Sequence, residues 1–217
     1  MTHTARPSTP ASTRKSALGG PMQGRVSALA ALATGLALFT FSLSAFAAWD
    51  LQQLMDSLAQ NKSGRATFVE TKHIAVLDRP VQSSGELVFV APDRLEKRTL
   101  KPKPESMIVN GDALTLERGS QKRQMQLQAY PEVAAFIDSI RGTLAGDRKA
   151  LERSYQLSLD GSADGWTLQL LPRDEKMKAV VQRIRIAGVR DQVKSIEITQ
   201  ADGDSSLMVV KESTTPP

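Results

Sequence analysis

The sequence predicts an α+β fold that is mostly β: one domain of meandering antiparallel strands with a short N-terminal helix and one helical insertion. Three observations carry this. Over residues 64–98, Ala66, Phe68 and Glu70 alternate with Thr67, Val69 and Thr71, and Leu87 and Phe89 alternate with Val88 and Val90. That period of two places successive side chains on opposite faces of a sheet. Turn-forming pairs such as Asn110-Gly111, Gly119-Ser120 and Asp202-Gly203 then punctuate the rest at short intervals. Once only, after Pro131, the period changes to that of a helix.

In chain order, Leu51, Leu54, Met55 and Leu58 share one helical face, which predicts an amphipathic helix over Trp49–Asn61. Strands follow on either side of Asp78-Arg79-Pro80, and Ala91-Pro92-Asp93 ends the second because proline cannot donate to a ladder. A third extended segment starts at Leu95, and Glu105–Val109 is the next strand. Asn110-Gly111-Asp112 predicts a hairpin, since Asn-Gly tolerates the positive φ of a tight turn. Ala113–Glu117 returns, and Lys122–Gln128 is expected as a strand with Met125 and Leu127 on one face. Val133, Phe136, Ile137 and Ile140 are spaced for a helix with Pro131 in its first turn and Gly142 near its end. Asp147–Arg153 adds a further turn or two. Strands resume at Tyr155–Leu159, Trp166–Leu171, Val180–Ala187, Val193–Thr199 and Ser206–Val210, seven or more in all. No internal repeat or second domain is apparent.

The first 47 of the 217 residues read as an export signal. Val26–Ala47 carries no charge, follows Arg25, is rich in Ala and Leu, and ends in Ala45-Phe46-Ala47, small residues where a signal peptidase reads. Cleavage after Ala47 leaves residues 48–217 as the domain; an uncleaved anchor is the alternative, and Met22 is a second candidate start beside Met1. Removing the signal takes away Arg6, Arg14, Lys15 and Arg25, so 28 basic residues fall to 24 against 23 acidic ones. That near-neutral balance gives no support for nucleic-acid binding, which requires a basic face. With no cysteine, the exported domain has neither disulfides nor a lipoprotein's own acylation site.

Catalytic chemistry is hard to assemble from what remains. His73 is the one histidine left, no Gly-x-Ser-x-Gly elbow accompanies it, and zinc ligands of nitrogen and sulfur type are lacking. Asp174-Glu175 and Asp202–Asp204 sit in turn-like surroundings and read as solvated loop carboxylates. No phosphate loop follows any strand, so no cofactor is implied. The sequence therefore reads as a binding protein and not as an enzyme. The basic run Lys97, Arg98, Lys101 and Lys103 reads as the wet face of an edge strand blunted by Pro102 and Pro104, or else as a surface for head groups or an acidic partner.

The order of these features resembles the LolA family, periplasmic carriers of outer-membrane lipoproteins. The matching stretches are the first helix; Thr67-Phe68-Val69-Glu70, where the family has Phe-x-Gln; and Gly85-Glu86-Leu87-Val88-Phe89-Val90-Ala91-Pro92-Asp93-Arg94-Leu95. Ser106-Met107-Ile108-Val109-Asn110-Gly111-Asp112 and the helical insertion complete the set, which spans nearly the whole domain. The resemblance implies a half-open antiparallel β-barrel in the periplasm, lidded by helices, whose concave face receives acyl chains. It implies a monomer that meets an inner-membrane releasing complex and an outer-membrane acceptor. Cavity candidates are then Leu87, Phe89, Leu95, Met107, Val109, Leu114, Leu116, Met125 and Leu127, with Phe136, Ile137 and Ile140 from the lid. The cargo would be a lipoprotein or another amphiphile such as a glycolipid. A non-catalytic protein-binding or sensor module on the same fold is the alternative. Two departures stand out. Ala91 occupies the position where typical carriers have an arginine that hydrogen-bonds the lid and couples closing to release, and aromatic residues are scarce.

Overall fold

The computed structural model describes residues 49–213. The expected export signal, its anchor alternative and both candidate starts lie outside the described residues. Within the described residues, no helix is long and apolar enough to cross a membrane.

The first helix, α1 (Leu51–Leu58), is shorter than its apolar pattern suggests. Asp50 ends it on the N-terminal side through a capping box in which its carboxylate accepts from the Gln53 N–H while the Gln53 side chain accepts from the Asp50 N–H. Six strands follow: β1 (Ser63–His73), β2 (Val81–Val90), β3 (Arg94–Lys101), β4 (Glu105–Asn110), β5 (Ala113–Arg118) and β6 (Gln121–Gln126). A single 3₁₀ turn over Leu127–Ala129 leads into α2 (Pro131–Leu144) and α3 (Arg148–Ser154). The chain then returns as β7 (Tyr155–Ser162), β8 (Gly165–Pro172), the one-turn α4 (Glu175–Lys178), β9 (Val181–Val189), β10 (Gln192–Gln200) and β11 (Ser205–Glu212). All eleven strands form one antiparallel sheet in the order β6-β5-β4-β3-β2-β1-β11-β10-β9-β8-β7. β6 and β7 are its two free edges, so the barrel stays open.

Four local expectations are corrected. Leu127 leaves the strand and enters the 3₁₀ turn, where it is buried. The hairpin after β4 uses Gly111 and Asp112 as its central residues, with Asn110 paired to Ala113, so the positive φ falls on Gly111 at +56° and not on Asn110. That matches the tight turn whose first central residue is glycine. Asp174 is not an idle loop carboxylate but caps α4, accepting from the Lys176 and Met177 N–H groups. And β3, which carries Lys97, Arg98 and Lys101, is no edge strand: β2 and β4 flank it. Pro102 and Pro104 sit in the β3–β4 connection, where no ladder donor is required.

Two apolar clusters cover the flanks of the concave face. On one flank, Leu54, Met55 and Leu58 of α1, Leu151 of α3 and Met177 of α4 pack on Trp166, Leu168 and Leu170 of β8 and Ile184 and Ile186 of β9. On the other, Ile137 of α2 and Leu127 pack on Val109 and Leu114. Phe136 packs against both, so α2 spans the mouth between them. The Tyr155 hydroxyl donates to the Ala135 carbonyl at 3.2 Å, tying α2 to the sheet.

Gly85 explains its place in the sequence. A Cβ there would lie 1.8 Å from the Arg98 carbonyl oxygen and 3.0 Å from the Phe68 ring, at a point where the β2–β3 register shifts. Gly85→Ala must therefore move backbone and is expected to cost about 2–3 kcal/mol, read as a lower urea midpoint with unchanged slope. Burial pushes the Tyr155 phenol up to about 12, with a nearby Ser139 hydrogen bond opposing the shift and Asp138 adding to it. Folding favours the neutral phenol, so this stabilisation is complete below about pH 10 and is lost as pH rises toward the folded value. Tyr155→Phe should flatten that part of the stability profile in chemical denaturation.

Candidate functional site

The sheet is wider than its helices can cover, and the uncovered middle is a cavity. Its volume is about 1070 Å³, at or above the usual range for small-ligand pockets. Period-two alternation builds its walls. Opposed residues of adjacent strands share a face, and the register pairs Phe89 with Leu95, Leu95 with Val109, and Met107 with Leu116. Leu87, Phe89, Leu95, Met107 and Leu116 line one wall, while Phe136, Ile137 and Ile140 of α2 close over it.

The remaining four residues singled out from the sequence lie elsewhere. Val109 and Leu114 share the inner face but are shut off beneath α2 with Leu127, and Met125 packs against the same cluster. They form floor packing and do not line the open space. The opposite wall was missed: Val193, Ile196 and Ile198 of β10 with Met208 and Val210 of β11. The signal was present as alternation in both strands, but which face looked inward depended on pairing across about 140 residues of chain, since β11 docks beside β1 with Phe68 opposite Val210.

One polar cluster interrupts the apolar lining. Glu70 of β1 is only 4 % exposed and faces inward. Its carboxylate accepts from the Lys97 ammonium at 2.6 Å and from the Ser83 hydroxyl at 3.3 Å, with the Lys72 ammonium 3.7 Å away. Lys97 also lies 5.0 Å over the Phe68 ring. Of the basic run, Lys97 thus points into the cavity, whereas Arg98 pairs with Glu96, which is buried although it lies on the convex face. His73 sits exposed at the cavity rim. Within the described residues, no group of histidines, cysteines and carboxylates is placed to hold a metal.

The lid is held from its own side. Arg141 of α2 is mostly buried, donates to the Gly111 carbonyl at 2.7 Å and the Asp93 carbonyl at 3.4 Å, and is braced by Asp138. Ala91, at the position of the family's arginine, has no side chain to reach α2, and its N–H donates to the Lys62 carbonyl. At this end the hydrogen bonds originate in the helix, while near the middle of α2 the Tyr155 hydroxyl donates from the sheet to Ala135.

No curated protein matches the chain. The solved structures that resemble it do so distantly. A LolA superfamily protein from Nitrosomonas europaea is 12% identical, with 78% of this chain and 96% of that one covered and a TM-score of 0.44. The MucA/MucB complex of Pseudomonas aeruginosa includes a chain 15% identical, with 77% and 59% covered and a TM-score of 0.43. The Mycobacterium tuberculosis lipoprotein LppX is 8% identical, with 77% and 96% covered and a TM-score of 0.41. The sequence profile of one family, described as "Outer membrane lipoprotein carrier protein LolA-like", matches residues 43–214. With the open eleven-stranded sheet and its helical cover, that match over nearly the whole described chain means that the protein belongs to the LolA-like family.

Proposed function

We propose that the protein is a periplasmic carrier that holds acyl chains of a lipoprotein or a related amphiphile in this cavity. In this reading residues 1–47 are its cleaved signal and residues 48–217 a monomeric half-barrel working between an inner-membrane releasing complex and an outer-membrane acceptor. The observation that carries the reading is an apolar cavity of about 1070 Å³ framed by a sheet and a helix. An acyl chain with ten buried methylenes resists leaving a bilayer by about 8 kcal/mol. A soluble carrier has to offer comparable apolar surroundings. Leu87, Phe89, Leu95, Met107 and Leu116, facing Ile196, Ile198, Met208 and Val210, supply them, with methionines adapting to chains of different shape. Family membership supports the same function. The absence of a catalytic constellation in the sequence agrees with binding and not turnover.

Native mass spectrometry with lipid extraction, on protein purified without detergent from its own periplasm, tests this directly. Acylated species should remain bound; an empty protein that also fails to take up a fluorescent fatty acid would overturn the reading. Cavity and core substitutions should part company. Leu87→Glu is expected to cut fatty-acid affinity at least tenfold with the fold retained. Leu168→Ala, at a fully buried core position, should cost about 3 kcal/mol of stability and leave affinity within twofold. Arg141→Met removes the hydrogen bonds from α2 to the Asp93 and Gly111 carbonyls and should speed release of a bound fluorescent fatty acid by about tenfold in stopped flow, the equivalent of one charge-assisted bond.

A further inference from the structure

We infer that the Glu70, Lys97 and Lys72 cluster is a head-group site that selects anionic amphiphiles, a carboxylate or a phosphate, and sets the direction in which their tails lie. The inference rests on the carrier reading and adds the chemical class of ligand to it.

Alternation along β1 turns Ala66, Phe68, Glu70 and Lys72 toward the cavity. A charged pair at such a position is costly, because removing two ions from water is repaid only by excellent geometry, and an apolar pair of similar volume commonly packs as well. The surrounding wall is apolar: Lys97 lies in register between Leu87 and Met107. What the charges supply is recognition, in the manner of the few placed polar groups that orient a ligand in an apolar pocket.

The stoichiometry of charge points to the sign of the ligand. Two ammonium groups converge on one carboxylate, which leaves one positive charge over at the wall. Arg123 lines the same cavity, opposite Leu116, and makes no ion pair among the described residues. Of the other acidic residues lining the cavity, Glu105 pairs with Arg118 at 2.7 Å and Glu117 with Lys122 at 2.7 Å. Among the described residues the Asp204 carboxylate accepts only from the Ala75 N–H at 2.8 Å and that of Glu212 only from the Gln192 side-chain amide at 2.6 Å, and Asp191 lines the cavity too. Glu70 acts as a positioning residue. It accepts one hydrogen from Lys97, whose ammonium has two more to donate, and draws Lys72 toward the same point. An anion entering from the side of half-exposed Lys72 can bridge both ammonium groups without displacing Glu70. Its tail then runs along Leu87 and Phe89 toward Phe136 under the lid.

Displacement of bound N-phenylnaphthylamine from the purified protein by three amphiphiles with the same acyl length tests this: dodecanoate, dodecyl phosphate and neutral monododecanoylglycerol. Both anions are expected to bind about tenfold more tightly than the neutral ester, the value of one charge-assisted hydrogen bond, and the margin should shrink with added salt. Lys72→Met, at a half-exposed position, should remove most of that preference and leave the neutral ester's affinity unchanged. The paired change Glu70→Gln with Lys97→Met, made together with Lys72→Met, removes all three charges, leaves no buried charge unpartnered and should abolish the preference in a folded protein. Equal affinity for anionic and neutral amphiphiles, or a preference that survives both variants, would overturn the head-group site and leave the carrier reading standing. Binding of none of the three would overturn both.

Discussion

Everything in this structure follows from an antiparallel sheet of eleven strands that does not close, paired with too little helix to cover it. An apolar inner face must be removed from water by another layer. Here α1, α3 and α4 cover the strands toward one edge, and the 3₁₀ turn with α2 covers those toward the other. Each flank makes a sealed core in which Trp166, Leu168 and Ile184 or Val109 and Leu114 are almost wholly buried. Between them the inner faces of β1, β2, β10 and β11, with Leu95, Met107 and Leu116 of β3–β5, front the cavity. The cavity is therefore a consequence of layer arithmetic and not of any one residue.

That arrangement separates stability from binding. Side chains of the flanks touch neighbours on all sides, so truncating one opens a void and costs both transfer and packing energy. Side chains of the middle border the cavity on one side, so truncating one enlarges a space that already exists. Phe136 belongs to both regions, because α2 lies across the boundary. Any ligand that fills the middle would be read by α2 first. Arg141 makes that sensitivity possible: a few hydrogen bonds to the carbonyls of Asp93 and Gly111 hold the far end of the helix, bonds weak enough to exchange.

Charge is placed with equal economy. Glu96 and Glu70 are both nearly buried, yet they lie on opposite faces of the sheet. Glu96, under Arg94 and Arg98 on the convex side, seals the outer surface. Glu70, under Lys97 and Lys72, stands inside. In the sequence Lys97 and Arg98 belong to one basic run. Alternation puts Lys97 and Arg98 on different faces, and strand pairing decides that the Lys97 face is the inner one.

Most strands, the two long helical segments and the turn positions were legible in the sequence because they depend on local chemistry. Alternation, proline's missing donor, glycine's freedom at Gly111 and helical spacing from Val133 to Ile140 act within a few residues. The errors lay where context takes over. Leu127 continues the alternation of Met125, but burial beneath α2 draws it into a turn; β3 looks like an edge because its prolines and lysines suit one, but β4 pairs with it. Eight of the twelve proposed cavity residues do line the open space, while Val109, Leu114, Met125 and Leu127 fill the floor. The sequence by itself determined which segments are strands and which side chains share a face, since period two is a property of the backbone. Tertiary structure alone decided which part of that face stays open. Coverage depends on where α2 lands and on β11 pairing with β1 from the far end of the chain, contacts that no local pattern encodes.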